Sequence, residues 1–302
     1  MTVSEYASAG LAKMLSSASV EISSRGHQLT ELRNNFGPGT DVTITFLPGD
    51  HYLHNVETAA MLRRAGFNPV PHIAAREMPS REALDDFLAR ARGEADVARI
   101  LLIAGDVAAA KGPFKSTHDV RSSGLLEANG IASVSVAGHP EGHPFVELPD
   151  ALKGLEGWRD WGRRTGTRVD VVTQFCFEST PILQWMAELD RAGIDLPVIV
   201  GLAGPATPAT LTKFALRCGI GNSMRALRAQ IGRFGRLLTD TGPDDVVRGL
   251  RCAPAAATTS IAGFHLFPFG GLRKAGDWLR ACDCGPPGLE RAAMSGAGLQ
   301  NP

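Results

Sequence analysis

The feature that most narrows the fold is a series of strand-sized apolar segments, each stopping abruptly at polar residues before a helical pattern begins. Val171-Val172-Thr173-Gln174-Phe175-Cys176-Phe177-Glu178 is the clearest of them. Its β-branched first half reads as a strand buried on both faces, and the Thr-Gln pair ends it. Thr180 and Pro181 then read as a helix cap and a first-turn proline. The same grammar recurs at 18–23, 41–46, 68–73, 99–104, 131–137, 196–201 and 261–267. Between these runs, Asn55 stands before a helical pattern at 56–65 that Gly66 ends, and Ser80 stands before a face of Leu84, Phe87, Leu88 and Ala91. Thr207-Pro208 opens the helix that carries Phe214.

Eight strands alternating with helices predict an α/β protein, a single-domain (β/α)8 TIM barrel over residues 1–285 with a flexible Gly-, Pro- and Ala-rich tail at 286–302. The 302 residues suit one barrel of about 250 with additions. An open doubly wound sheet is the runner-up, but no strand leads into a G-x-G-x-x-G turn. Gly219-Ile220-Gly221-Asn222-Ser223 comes nearest and follows a helix. A helix over 6–15 would close the bottom of the barrel or pack on its side.

The charge balance excludes several function classes. Lys and Arg number 31 against 31 Asp and Glu, which leaves no electrostatic footprint for nucleic acid or an anionic membrane. No uncharged stretch reaches the ~18 residues of a membrane span and the first residues carry no leader pattern, so the expected location is cytoplasmic. The five cysteines, at 176, 218, 252, 282 and 284, suit reduced thiols. Cys282-Asp283-Cys284 lacks a second ligand pair, and no metal site is expected. The expected partner is a small molecule, with a homo-oligomer left open.

Barrels of this class place their chemistry at the carboxyl ends of the strands. There the sequence gathers Glu21, Thr45, His72, Asp106, His143 and Gln174. Strand alternation sets Glu21 opposite Val20 and Ile22, toward solvent or the barrel lumen. His139 and His143 are four apart, but Pro140, Gly142 and Pro144 oppose a helix, so the pair reads as a rigid loop presenting a histidine. No G-x-S-x-G elbow occurs, and nucleophilic hydrolysis has no support.

In order and spacing, Val20-Glu21-Ile22, Thr43-Ile44-Thr45-Phe46, Pro71-His72-Ile73, Gly105-Asp106, His139-Pro140-Glu141-Gly142-His143-Pro144, Val172-Thr173-Gln174-Phe175 and Phe264-His265-Leu266-Phe267 resemble the methylenetetrahydrofolate reductase family, from about residue 18 to about 280. The resemblance implies an FAD-containing oxidoreductase that reduces 5,10-methylenetetrahydrofolate to 5-methyltetrahydrofolate with NADH or NADPH. It implies catalytic roles for Glu21, as the general acid, and for Asp106, near flavin and pterin. Thr45, Phe46, His72, Ala104, Gly105, Asp106, His139, His143 and Arg163 would line or hold the flavin. Gln174, Thr210, Phe214 and Arg273 would meet folate and nicotinamide. The chain departs from the family pattern at Ala104, where an arginine is usual, at His139, where a tyrosine is common, at Thr210 for a glutamine and at Gly271 for an arginine. A flavin-independent reductase of the same folate and a non-redox folate-binding barrel are the alternatives.

Overall fold

Strand pairing in this protein closes on itself. In the computed structural model, which describes residues 3–25, 28–47, 49–143, 145–218 and 240–283, the strands are β1 (Ser19–Ser23), β2 (Asp41–Thr45), β3 (Asn68–Ala74), β4 (Arg99–Ile103), β5 (Ser133–Gly138), β6 (Arg168–Thr173), β7 (Val198–Ala203) and β8 (Ile261–Phe267). They follow one another in chain order, all parallel, and β8 returns to β1 with Ser19 beside His265 and Val20 beside Leu266. This is the expected (β/α)8 TIM barrel. The proposed tail at 286–302 and the 219–223 glycine turn lie outside the described residues.

Alternation along the strands separates two apolar layers. Val20, Ile22, Val42, Ile44, Ile100, Leu102, Val134, Val136, Val200 and Leu202 point outward into the large core shared with the helices. Each such side chain contributes about 2 kcal/mol by leaving water. The opposite parity fills the lumen, where Val70, Leu101 and Val172 pack with Ile103 and Ile199. At the amino end of the lumen, Arg99 reaches Asp41 at 3.0 Å, Asp170 at 3.1 Å and Ser135 Oγ at 3.1 Å. That cluster plugs the bottom and leaves the carboxyl end for a ligand.

The prolines of β3 show how the ladder tolerates them. Asn68 gives its N–H to Thr40 on the β2 side at 3.0 Å. Alternation therefore turns the nitrogens of Pro69 and Pro71 toward β4, whose pairing with β3 starts only at His72.

Two cap assignments need correction. Helix Tyr52–Arg64 starts four residues earlier than expected, capped by His51. Asn55 lies inside it, fully buried, and its amide reaches Ile44 O at 3.3 Å and His72 O at 3.5 Å, tying helix to strands. Helix Ser179–Arg191 begins before Thr180, so Pro181 sits at its third residue, where an amide N–H still has no helical partner. Ser80 and Thr207 do cap their helices, accepting from Ala83 and Thr210. Helix Val3–Ser16 packs beside β8 and helix Leu272–Asp283.

Candidate active site at the carboxyl end of the barrel

Three titratable side chains from β1, β3 and β8 meet in the upper lumen. Glu21 projects inward because its neighbours Val20 and Ile22 are held in the outer core. Its Oε2 lies 3.7 Å from His72 Nε2 and 4.0 Å from His265 Nε2, with side chains 18%, 6% and 1% exposed respectively. Both ring nitrogens of His72 and Nε2 of His265 are buried without a hydrogen-bond partner. Burial raises the Glu21 carboxyl to about 7, against the opposing pull of the Thr45 hydroxyl. It lowers His72 to about 4, and together with the charges of His72 and Arg99 it lowers His265 to about 3. Near neutral pH both histidines are therefore uncharged and Glu21 is half protonated.

The β4 loop forms one side of the rim. Gly105 adopts φ +92°, open to glycine at little cost, and a Cβ there would stand 3.3 Å from Ala74 Cβ. Backbone bonds from Arg76 N–H to Ala104 O (2.9 Å) and from Lys111 N–H to Arg76 O (2.8 Å) tie this loop to the turn Ala75–Glu77, and Lys111 pairs with the buried Glu77. Asp106 is exposed at the loop's tip. Its charge acts on His143 from the β5 loop and on Cys218 at the end of helix Pro208–Arg217; Glu21 acts on Cys218 too. Elements remote in sequence thus face one mouth. Burial first, then these carboxylates, pushes the Cys218 thiol up to about 11.

His139 and His143 pack edge to face, ring centroids 4.7 Å apart, in a loop turned at Gly142 with φ +89°. His143 Nδ1 accepts from Phe145 N–H at 3.1 Å. Burial and the neighbouring His143 lower His139 to about 4. Beside this loop, at the end of β6, Gln174 gives its N–H to Gly138 O at 2.8 Å, while its side-chain oxygen accepts from Phe175 N–H at 3.2 Å. Beside it stands an aromatic wall: Phe214 stacks on Phe269 at 4.1 Å and 17°, with Phe175 and Phe267 against the same ring.

Not every expected residue reaches this mouth. Phe46 continues the parity of Val42 and Ile44, so its ring is buried in the outer core. Arg163 is in the last turn of helix Leu148–Thr165, which leads to the amino end of β6, and it pairs with Asp195 at 2.7 Å. It sits at the opposite end of the barrel. Thr210 bonds Thr207 Oγ1 at 2.9 Å, and Ala104 exposes only a methyl. Arg273 is exposed, its N–H given to Glu31 at 3.2 Å. His265 meets Glu21 and Phe269 joins the aromatic wall, although the sequence reading did not assign them. The signal for His265 was available, since it has opposite parity to the apolar Phe264 and Leu266, as Glu21 does to its neighbours.

Among the described residues, no group of three or more His, Cys, Asp and Glu side chains is placed to hold a metal ion, and no helix is long and apolar enough to cross a membrane. The protein-family model described as methylenetetrahydrofolate reductase matches residues 20–221, from the strand bearing Glu21 past the helix bearing Phe214. With two thirds of its length matched and a site built at the mouth of a closed barrel, this chain belongs to the methylenetetrahydrofolate reductase family, whose members are folate-linked oxidoreductases.

Proposed function

We propose that this chain reduces 5,10-methylenetetrahydrofolate to 5-methyltetrahydrofolate with a hydride from NADH or NADPH. The observation that carries the reading is Glu21, a carboxyl at the top of a largely apolar lumen that holds its proton to about pH 7. Near neutral pH it still holds a proton that an ordinary glutamic acid, at 4.5, has given up. Opening the five-membered ring of the folate needs one proton on the departing nitrogen, which leaves an iminium at the other. The hydride then adds to the iminium carbon and completes the methyl group. Glu21 supplies that proton, becomes a carboxylate, and recovers a proton through the open mouth. Gln174 has donors and an acceptor to match a pterin edge. The aromatic wall gives flat rings an apolar face.

The family is generally flavin-linked, and the residues present fit only one end of FAD. His72, the Gly105 backbone and Gln174 suit a flat heterocycle. Of the residues expected around the flavin, Ala104 offers a methyl and Arg163 is engaged at the far end. The stretch after His143 presents Phe145, 89% exposed, then Val146 and Glu147, with Asp150 in the first turn of the next helix. Phosphates there would meet carboxylates and a bare aromatic ring. These residues therefore favour transfer from the nicotinamide straight to the folate. Family membership favours a flavin relay as the second reading.

The test is anaerobic turnover of purified protein freed of flavin, with and without added FAD. Folate-dependent NADH oxidation without FAD is the expected result, and Glu21→Gln should lower kcat by about 10²–10⁴-fold. Strict dependence on FAD would select the relay. Tight folate binding without NADH oxidation in either condition would leave only a non-redox folate-binding barrel.

A further inference from the structure

Glu21 faces His265, and His265 is itself held from behind. Ser19 Oγ lies 2.9 Å from His265 Nδ1 and its hydroxyl reaches Phe264 O at 3.4 Å. A serine hydroxyl has one hydrogen to give. When that hydrogen goes to the Phe264 carbonyl, the oxygen accepts from His265, so the ring proton is on Nδ1. Nε2 is then a bare lone pair, buried, without a hydrogen-bond partner and 4.0 Å from Glu21 Oε2. At 4.0 Å the two make no hydrogen bond, but a lone pair turned toward Glu21 disfavours a negative charge on its carboxyl. The opposite tautomer would aim an N–H at Glu21, which favours its ionised form.

We propose that Ser19 is a positioning residue that fixes the Nδ1–H tautomer of His265, so that the Nε2 lone pair, and not an N–H, faces Glu21 and keeps it in the protonated form the reaction consumes. The inference rests on Glu21 as the proton donor, but the tautomer and the Glu21 titration can be read without turnover. The other groups bearing on the pair are Thr45 on β2, His72 on β3, Arg99 on β4 acting on His265, and Cys218 at the mouth. All remain in place when Ser19 alone is changed.

The experiment uses the full chain labelled with ¹⁵N in histidine and ¹³C in the Glu carboxyl carbons. His265→Gln and Glu21→Gln spectra assign the two signals. In wild type, His265 should carry its proton on Nδ1, and Glu21 should titrate near neutrality. In Ser19→Ala the proton should move to Nε2, the Glu21 titration should fall by about one pH unit, and the alkaline limb of kcat should fall with it while KM holds. Ser19→Thr, which keeps the hydroxyl, should restore all three. A wild-type Nε2–H tautomer, or a Glu21 titration unmoved in a folded Ser19→Ala protein, overturns the proposal. If wild type reduces no folate but both spectroscopic shifts occur, the reaction assignment fails and the positioning of Glu21 by Ser19 stands.

Discussion

Replacing Glu21 by glutamine should stabilise the protein at alkaline pH while it disables the chemistry. Glutamine keeps the shape of the neutral acid beside His72 and His265, but it cannot ionise. The wild-type carboxyl titrates at about 7 when folded and at 4.5 when exposed. A folded pKa above the unfolded one contributes stability that is fully present below about 4.5, drains as pH rises, and is gone above about 7. At about 1.4 kcal/mol per pH unit, wild type should lose roughly 2–3 kcal/mol between about pH 5 and about pH 8 that Glu21→Gln does not lose. His72 and His265 work in the opposite direction, with pKa values lowered to about 4 and about 3, so their contribution is complete above about 6.5 and lost in acid. They are present in both proteins and largely cancel in the difference. Urea unfolding of both proteins at several pH values measures that difference. Curves that stay parallel across the range would show that Glu21 is an ordinary solvated carboxyl, and the basis for its role as a neutral acid would go with it.

Two further substitutions probe the placement of the site. Arg163→Ala should leave kcat and KM within about twofold of wild type and cost less than ~1 kcal/mol, because it breaks only an exposed pair with Asp195 at the amino end. A tenfold loss of activity would mean that this residue reaches the ligand. Gly138→Ala would put a methyl 2.6 Å from Val171 Cγ1 and 2.8 Å from the Trp185 ring, just below Gln174. Overpacking there should destabilise the fold by about 1–3 kcal/mol in a denaturant titration, and unchanged stability would contradict the packing described.

The barrel was legible because its strands are short, β-branched and cut off sharply, and because the residues that stop them form the mouth. The lumen proved harder to read. Glu21 has an outward or inward choice that alternation cannot resolve by itself; closure of β8 onto β1 decides it. The same parity applied to β8 would have found His265, but a histidine among aromatics carries no charge to draw notice. Phe46 shows the converse, since its place at a strand end suggests the mouth while its parity sends the ring into the outer core. Arg163 was out of reach of sequence reasoning, because the helix that carries it runs back to the amino end before the chain enters β6. Asn55 had the chemistry of a cap, yet it is used to bind a helix to two strand carbonyls.

Deuterium at the transferable position of NADH, followed into the product by mass spectrometry of the methyl group, bears most directly on how this mouth works. Flavin-free protein should deliver one deuterium per methyl group formed, with none lost to water. Product whose new hydrogen comes from solvent would reveal an exchanging carrier between the two substrates, and no methyl product at all, labelled or unlabelled, would remove folate reduction from the protein.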